Sequence, residues 1–114
     1  MANPLIDKIR RARQQVVTCD KYSFTVRRPT NLEMLKLKGR ADQETLLRQF
    51  VTGWDNMTEL DIYSGGTGAI VPFDSDLFIE WIADRPQYWE PITQAIVDAY
   101  QQHDQQLGDQ LKNS

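Results

Sequence analysis

The chain has 114 residues, 40% of them hydrophobic and 25% charged, which fits one globular domain with a modest core. No apolar run approaches the roughly 20 residues that a membrane-crossing helix needs. Cys19 is the single cysteine, so an internal disulfide is excluded and a reducing compartment is expected.

The formal net charge of -3 hides a split along the chain. Residues 1–40 carry ten Lys and Arg against three acids, a net of +7, and residues 41–114 carry three against thirteen, a net of -10. Such a split fits a nucleic-acid face, a two-signed partner surface or self-association, and equally two halves attracting each other within one fold.

Asn3 and Pro4 read as the cap and first position of a helix, with Leu5, Ile6, Ile9, Ala12 and Val16 at helical spacing. Arg10, Arg11 and Arg13 lie off that stripe, and residues 1–15 form a helical arm. Residues 16–28 read as a β-hairpin: Tyr22, Phe24 and Val26 alternate with Ser23 and Thr25, and Asp20-Lys21 is the turn. Residues 30–107 read as a helical body. Thr30 and Glu33 have capping-box spacing, Leu32 and Leu35, with Met34 beside them, are expected on the inner face of that helix, and Gly39 should end it. A second helix starts at Asp42, with Leu46, Leu47, Phe50, Val51 and Trp54 as its stripe.

Residues 55–72 read as a long loop, with a turn of helix within Asn56–Tyr63 and a flexible Ser64-Gly65-Gly66-Thr67-Gly68. Asp74 caps the next helix, where Phe73 and Phe78 have the spacing of a hydrophobic staple and Leu77, Phe78, Trp81 and Ile82 share a face. Pro86 stops it. Pro91 sits in the first turn of a last helix that Gly108 should end, leaving 108–114 as a frayed tail. The fold class is therefore mainly α with a small N-terminal β-hairpin, an α+β domain. Its central expectation is an aromatic clamp, with Phe50 and Trp54 on one rim of the glycine-bearing loop and Phe73 and Phe78 on the other.

Little in the chain points to catalysis. His103 and Cys19 are each alone, too few for a zinc site of the usual kind, and nothing in their spacing argues for a nucleophile–base pair. Asp74 and Asp76 are explained by helix capping. The Gly-rich loop lacks the Lys of a phosphate-binding loop and stands among Asp55, Glu59 and Asp61. No cofactor or metal is expected.

Arg27-Arg28-Pro29-Thr30 with Glu33, then Phe50-Val51-Thr52-Gly53-Trp54, then Val71-Pro72-Phe73-Asp74 opening a helix, resemble the small tail assembly chaperones of long-tailed bacteriophages and prophages. The resemblance covers about residues 15 to 100. It implies a non-enzymatic role in the host cytoplasm, outside the mature virion. The implied partner is the long helical tape measure protein, which such chaperones coat before tail-tube subunits polymerise around it. Many are also made in a longer, frameshifted form that recruits those tube subunits.

Under that reading Phe50, Trp54, Phe73, Phe78 and Trp81, with Arg27 and Arg28, are the candidate partner-binding residues. The bland alternative makes all five aromatics core. Homo-oligomerisation is compatible with the charge split. Two rival classes stand beside it: a structural minor tail or head–tail completion protein, and a small nucleic-acid-binding regulator using Arg10, Arg11, Arg13, Arg27 and Arg28. The second is disfavoured because no helix-turn-helix spacing or base-reading signature is present.

Overall fold

Local chemistry sets the helix starts. In the computed structural model, which describes residues 3–38 and 42–112, the Asn3 side chain accepts from Leu5 N at 2.9 Å and opens α1, Pro4–Ala12. The chain then forms β1 (Gln14–Cys19) and β2 (Tyr22–Arg27). These pair as an antiparallel hairpin with Cys19 opposite Tyr22. Val16, which fits both the helical stripe and the hairpin, lies in β1 as the hairpin reading places it, and the strand begins at Gln14, so Gln14 and Gln15 belong to the sheet and not to the helical arm. The turn has no glycine, and Asp20 takes a φ of 55°, a left-handed conformation that a short polar side chain tolerates.

Thr30 caps α2, Asn31–Leu37, in a reciprocal capping box with Glu33. Lys38 closes the helix at a φ of 50°; Gly39, the expected terminator, lies outside the described residues. Asp42 caps α3, Gln43–Phe50, by accepting from Thr45 N at 2.8 Å.

The helix expected to run on through Trp54 stops at Phe50. Val51–Asp55 is β3, antiparallel to β2 in a sheet ordered β1-β2-β3, with a register irregularity between Thr25 and Val26. Two physical terms favour the strand. Val51, Thr52 and Gly53 are weak helix formers, the glycine by about 1 kcal/mol relative to alanine. The strand also pairs the second edge of β2, whose backbone groups would otherwise be open.

The sequence from Glu59 to Ile62 forms α4, within the loop expected at 55–72. Asp74 caps α5, Ser75–Ile82, and the Phe73 and Phe78 rings meet across the cap with centroids 5.8 Å apart. A 3-10 turn, Pro86–Tyr88, leads into α6, Trp89–Lys112. Gly108 does not end α6, so the tail expected from residue 108 is helical through Lys112. One glycine costs too little to break a helix among good formers such as Gln105, Leu107, Gln110 and Leu111.

The architecture is α+β. Tyr22, Phe24 and Val26 of β2 face inward, and α3, α5 and α6 cover that face of the sheet. Phe24, Phe50, Phe78, Met57, Ile92 and Ile96 are fully buried in one core. Beyond Tyr100, α6 is mostly exposed, and the longest extent of the molecule is 58 Å. Among the described residues, no helix is long and apolar enough to cross a membrane.

Candidate protein-binding surface

The aromatic residues expected to bind a partner come together, but inward. Trp54 lies 5.3 Å from Phe73, 6.2 Å from Phe78 and 6.2 Å from Trp81, ring centroid to ring centroid. Edge-to-face geometry of this kind adds to the stabilisation from burial alone. Phe50, Trp54, Phe78 and Trp81 are buried, and Phe73 is half-buried at the rim. As placed, the first four are core and only Phe73 offers a partner any area.

Arg27 is also engaged at home. Its guanidinium forks onto the Glu33 carboxylate with two 2.7 Å hydrogen bonds and lies 4.7 Å from the centre of the Phe50 ring. Arg28 donates to the Pro29 carbonyl at 3.1 Å. Burial and then the nearby Arg13 hold Arg28 below the usual guanidinium range.

The Arg27 fork, helped by the Thr30 cap, pulls the Glu33 carboxyl down to about 2, against a smaller opposing effect of burial. The carboxylate is thus stabilised in the folded state. Its contribution is complete above the unfolded value near 4.5 and is lost as pH falls toward about 2. Acid titration of wild type should show a stability loss across that window, and Glu33→Gln should remove about 1 kcal/mol of it, allowing for solvent screening. Urea midpoints measured at a series of pH values check this.

The loop between the clamp's rims is bound into the body through Asp61. One Asp61 oxygen accepts from Tyr22 Oη at 3.0 Å and pairs with Lys21 Nζ at 2.7 Å. The other accepts from the Thr58 backbone and hydroxyl. These donors, Lys21 first, hold the carboxyl far below the ordinary range. The Asp61 carbonyl accepts from Trp81 Nε1 at 3.0 Å and from Arg85 at 3.2 Å. Glu59 holds Thr67 through its backbone N–H and hydroxyl, and Thr58 bridges to Ile70. Gly66 packs so closely on the Glu59 backbone that a Cβ there would overlap it. The glycine therefore serves close packing of the loop, a use that the sequence pattern alone does not separate from flexibility.

Cys19 is buried, and burial pushes its thiol up, which disfavours the thiolate a nucleophile needs. His103 Nε2 lies 2.9 Å from Asn31 Oδ1, on the distal half of α6. Among the described residues, no group of three or more His, Cys, Asp or Glu is placed to hold a metal ion.

No protein-family model, curated protein or solved structure matches this chain.

What the structure does present is apolar area on short helices. Leu32 and Leu35, expected on the inner face of α2, are 70% and 68% exposed. The cause is the Arg27–Glu33 fork. It turns the Glu33 side of the helix toward the sheet, and Leu37, one turn on, packs against the core. On a helix of seven residues that leaves Leu32 and Leu35, three apart, together on the outer side. The sequence carries a signal for this in the Arg27-to-Glu33 spacing, but the apolar pattern of the leucines outweighs it. A second apolar stripe, Leu5, Ile6 and Ile9, lies exposed on α1, none of whose residues is buried.

Proposed function

We propose that this protein is a non-enzymatic tail assembly chaperone, acting in the host bacterial cytoplasm, that binds and solubilises a tape measure protein during tail assembly. The observation that carries the reading is the outward-facing Leu32–Leu35 pair on a helix pinned by its own ion pair and capping box. A long helical client carries apolar stripes that aggregate unless covered, and a rigid apolar ridge on a small helix suits them. The aromatic clamp supports the reading indirectly, as the scaffold that keeps α2 in place. Phe73 is the one clamp ring that remains a candidate contact. In the family that the chain resembles, recruitment of tail-tube subunits belongs to a longer, frameshifted form.

The test is co-expression with a tape measure fragment. Wild type should raise the fragment's soluble yield and co-purify with it. Leu32→Asp with Leu35→Asp should weaken the complex at least tenfold while leaving the thermal midpoint within a few degrees, because both side chains are already in water. Failure of wild type either to bind or to solubilise the fragment counts against the role. Recovery of the protein from purified virions would point instead to a structural tail component.

A further inference from the structure

The open end of the hairpin brings two arginines face to face. Arg13 closes α1 and Arg28 follows β2, and Arg28 N donates to the Arg13 carbonyl at 2.9 Å, one step beyond the Gln14–Arg27 pair. α6 lies beside them, tied to β1 where the Gln15 side chain donates to the Ala95 carbonyl at 3.1 Å. Ala99, Gln102 and Gln106 recur at helical spacing, so they share the side of α6 that meets the hairpin end. Between these elements lies an open pocket of about 260 Å³, walled by Arg13, Gln14, Arg28, Gln102, His103 and Gln106.

The wall is rich in donors. No acid lines it among the described residues; Asp98 and Asp104 are on α6 but outside the wall. Neither Arg13 nor Arg28 has an ion pair among the described residues. Arg13 Nε is buried with no hydrogen-bond partner, whereas Arg28 gives one N–H to the Pro29 carbonyl. The two charges also act on each other, since Arg13, after burial itself, is what holds Arg28 below the usual guanidinium range. His103 Nε2 is engaged with Asn31 Oδ1 at 2.9 Å. Two like charges brought together in a partly buried site are stabilised by an anion that bonds to both.

We propose that this pocket binds a phosphate group, gripped by the guanidiniums of Arg13 and Arg28 with the Gln102 and Gln106 amides as further donors. A phosphate group carries a charge of about -1.5 to -2 at neutral pH, which matches two guanidiniums, and it offers oxygens on several sides. A carboxylate brings one charge and two oxygens, fewer than the pocket's charges and donors require. Pockets for drug-sized ligands run from about 300 Å³ upward, so this smaller one suits inorganic phosphate or the monoester of a small alcohol. The site is separate from Leu32 and Leu35 and does not depend on the client.

Titration of the full chain followed by amide and guanidinium NMR tests it, with inorganic phosphate, glycerol phosphate and acetate compared at constant ionic strength. Both phosphates should shift the Arg13 Nε–H and the Gln102 and Gln106 side-chain amides, saturably, and acetate should bind at least tenfold more weakly. The tighter of the two phosphates tells whether the natural ligand is the free ion or an ester. Arg13→Gln should weaken phosphate at least tenfold, and so should Gln106→Glu, an exposed change that puts a negative charge in the wall. Arg11→Gln, outside the wall, should leave binding unchanged. Circular dichroism of each variant shows that it is folded. Shifts that acetate or chloride reproduces at equal concentration overturn the proposal. So does phosphate binding that both wall variants leave intact. Duplex DNA that binds more tightly than either phosphate, with an affinity that falls steeply with salt, overturns it in favour of a nucleic-acid face.

Discussion

Replacing Trp81 by alanine should cost about 4 kcal/mol, the largest effect of any single change proposed for this protein. The indole is 3% exposed and stands where the hairpin, the loop and two helices meet. Its ring lies 5.2 Å from Tyr22, 5.9 Å from Phe24 and 5.9 Å from Tyr88, the last stacked. The Arg85 guanidinium lies 4.4 Å from the ring centre, and Nε1 donates to the Asp61 carbonyl. Truncation loses the transfer free energy of the ring and leaves a cavity that the surrounding aromatics fill poorly, roughly 3–5 kcal/mol for such residues. Against a total stability on the order of 5–15 kcal/mol, that removes a large part of the folded-state margin. Urea denaturation should show a lower midpoint with an unchanged slope. Leu35→Ala, on the exposed side of α2, should move stability by less than about 0.5 kcal/mol. If the two variants cost the same, the assignment of core and surface is wrong.

Asp61→Ala should cost about 3 kcal/mol, more than most single polar substitutions. One carboxylate here accepts from Tyr22, Lys21 and both donors of Thr58. Its side chain is only 8% exposed. Deleting it leaves the Tyr22 hydroxyl and the Thr58 N–H short of partners inside the protein, and an unsatisfied buried group costs about 1–3 kcal/mol. The α4 cap is lost as well, about 1 kcal/mol. Asp61→Asn keeps an acceptor but not the charge, and should fall between alanine and wild type. Hydrogen exchange locates the damage. Protection should drop first at Glu59, Leu60 and Val71, whose amides bond across the loop to Ala69, Thr67 and Met57. The depressed carboxyl also means that this contribution is complete above the unfolded value near 3.8 and is lost progressively as pH falls below it, over a window that overlaps that of Glu33 and extends to more acid pH.

How far the fold is legible in the sequence depends on where each decision is made. Capping residues decide locally, through one hydrogen bond to a backbone N–H two or three positions on. Asn3, Thr30, Asp42 and Asp74 each cap the helix expected of them. The period-two alternation of Tyr22, Phe24 and Val26 places β2 with its buried face correct. The Phe73–Phe78 staple and the meeting of the loop's aromatic rims also follow from spacing. The binding residues are less legible. Spacing leaves Phe50, Trp54, Phe78 and Trp81 open between core and interface, and three-dimensional packing places them in the core. The same spacing points Leu32 and Leu35 inward, because an apolar period cannot tell which side of a short helix an ion pair will hold.

By itself the sequence determined the helix starts, the hairpin, the α+β class and the division of charge between the two halves, because each depends on residues near one another in the chain. Only the tertiary structure decided that Val51–Asp55 is a strand and that Asp61 anchors the loop. Each of those depends on a distant group: the second edge of β2 for the strand, and the Tyr22 hydroxyl with Lys21 for the loop. A backbone edge or a buried carboxylate is satisfied by whatever the fold brings to it, and no local period records which residue that will be.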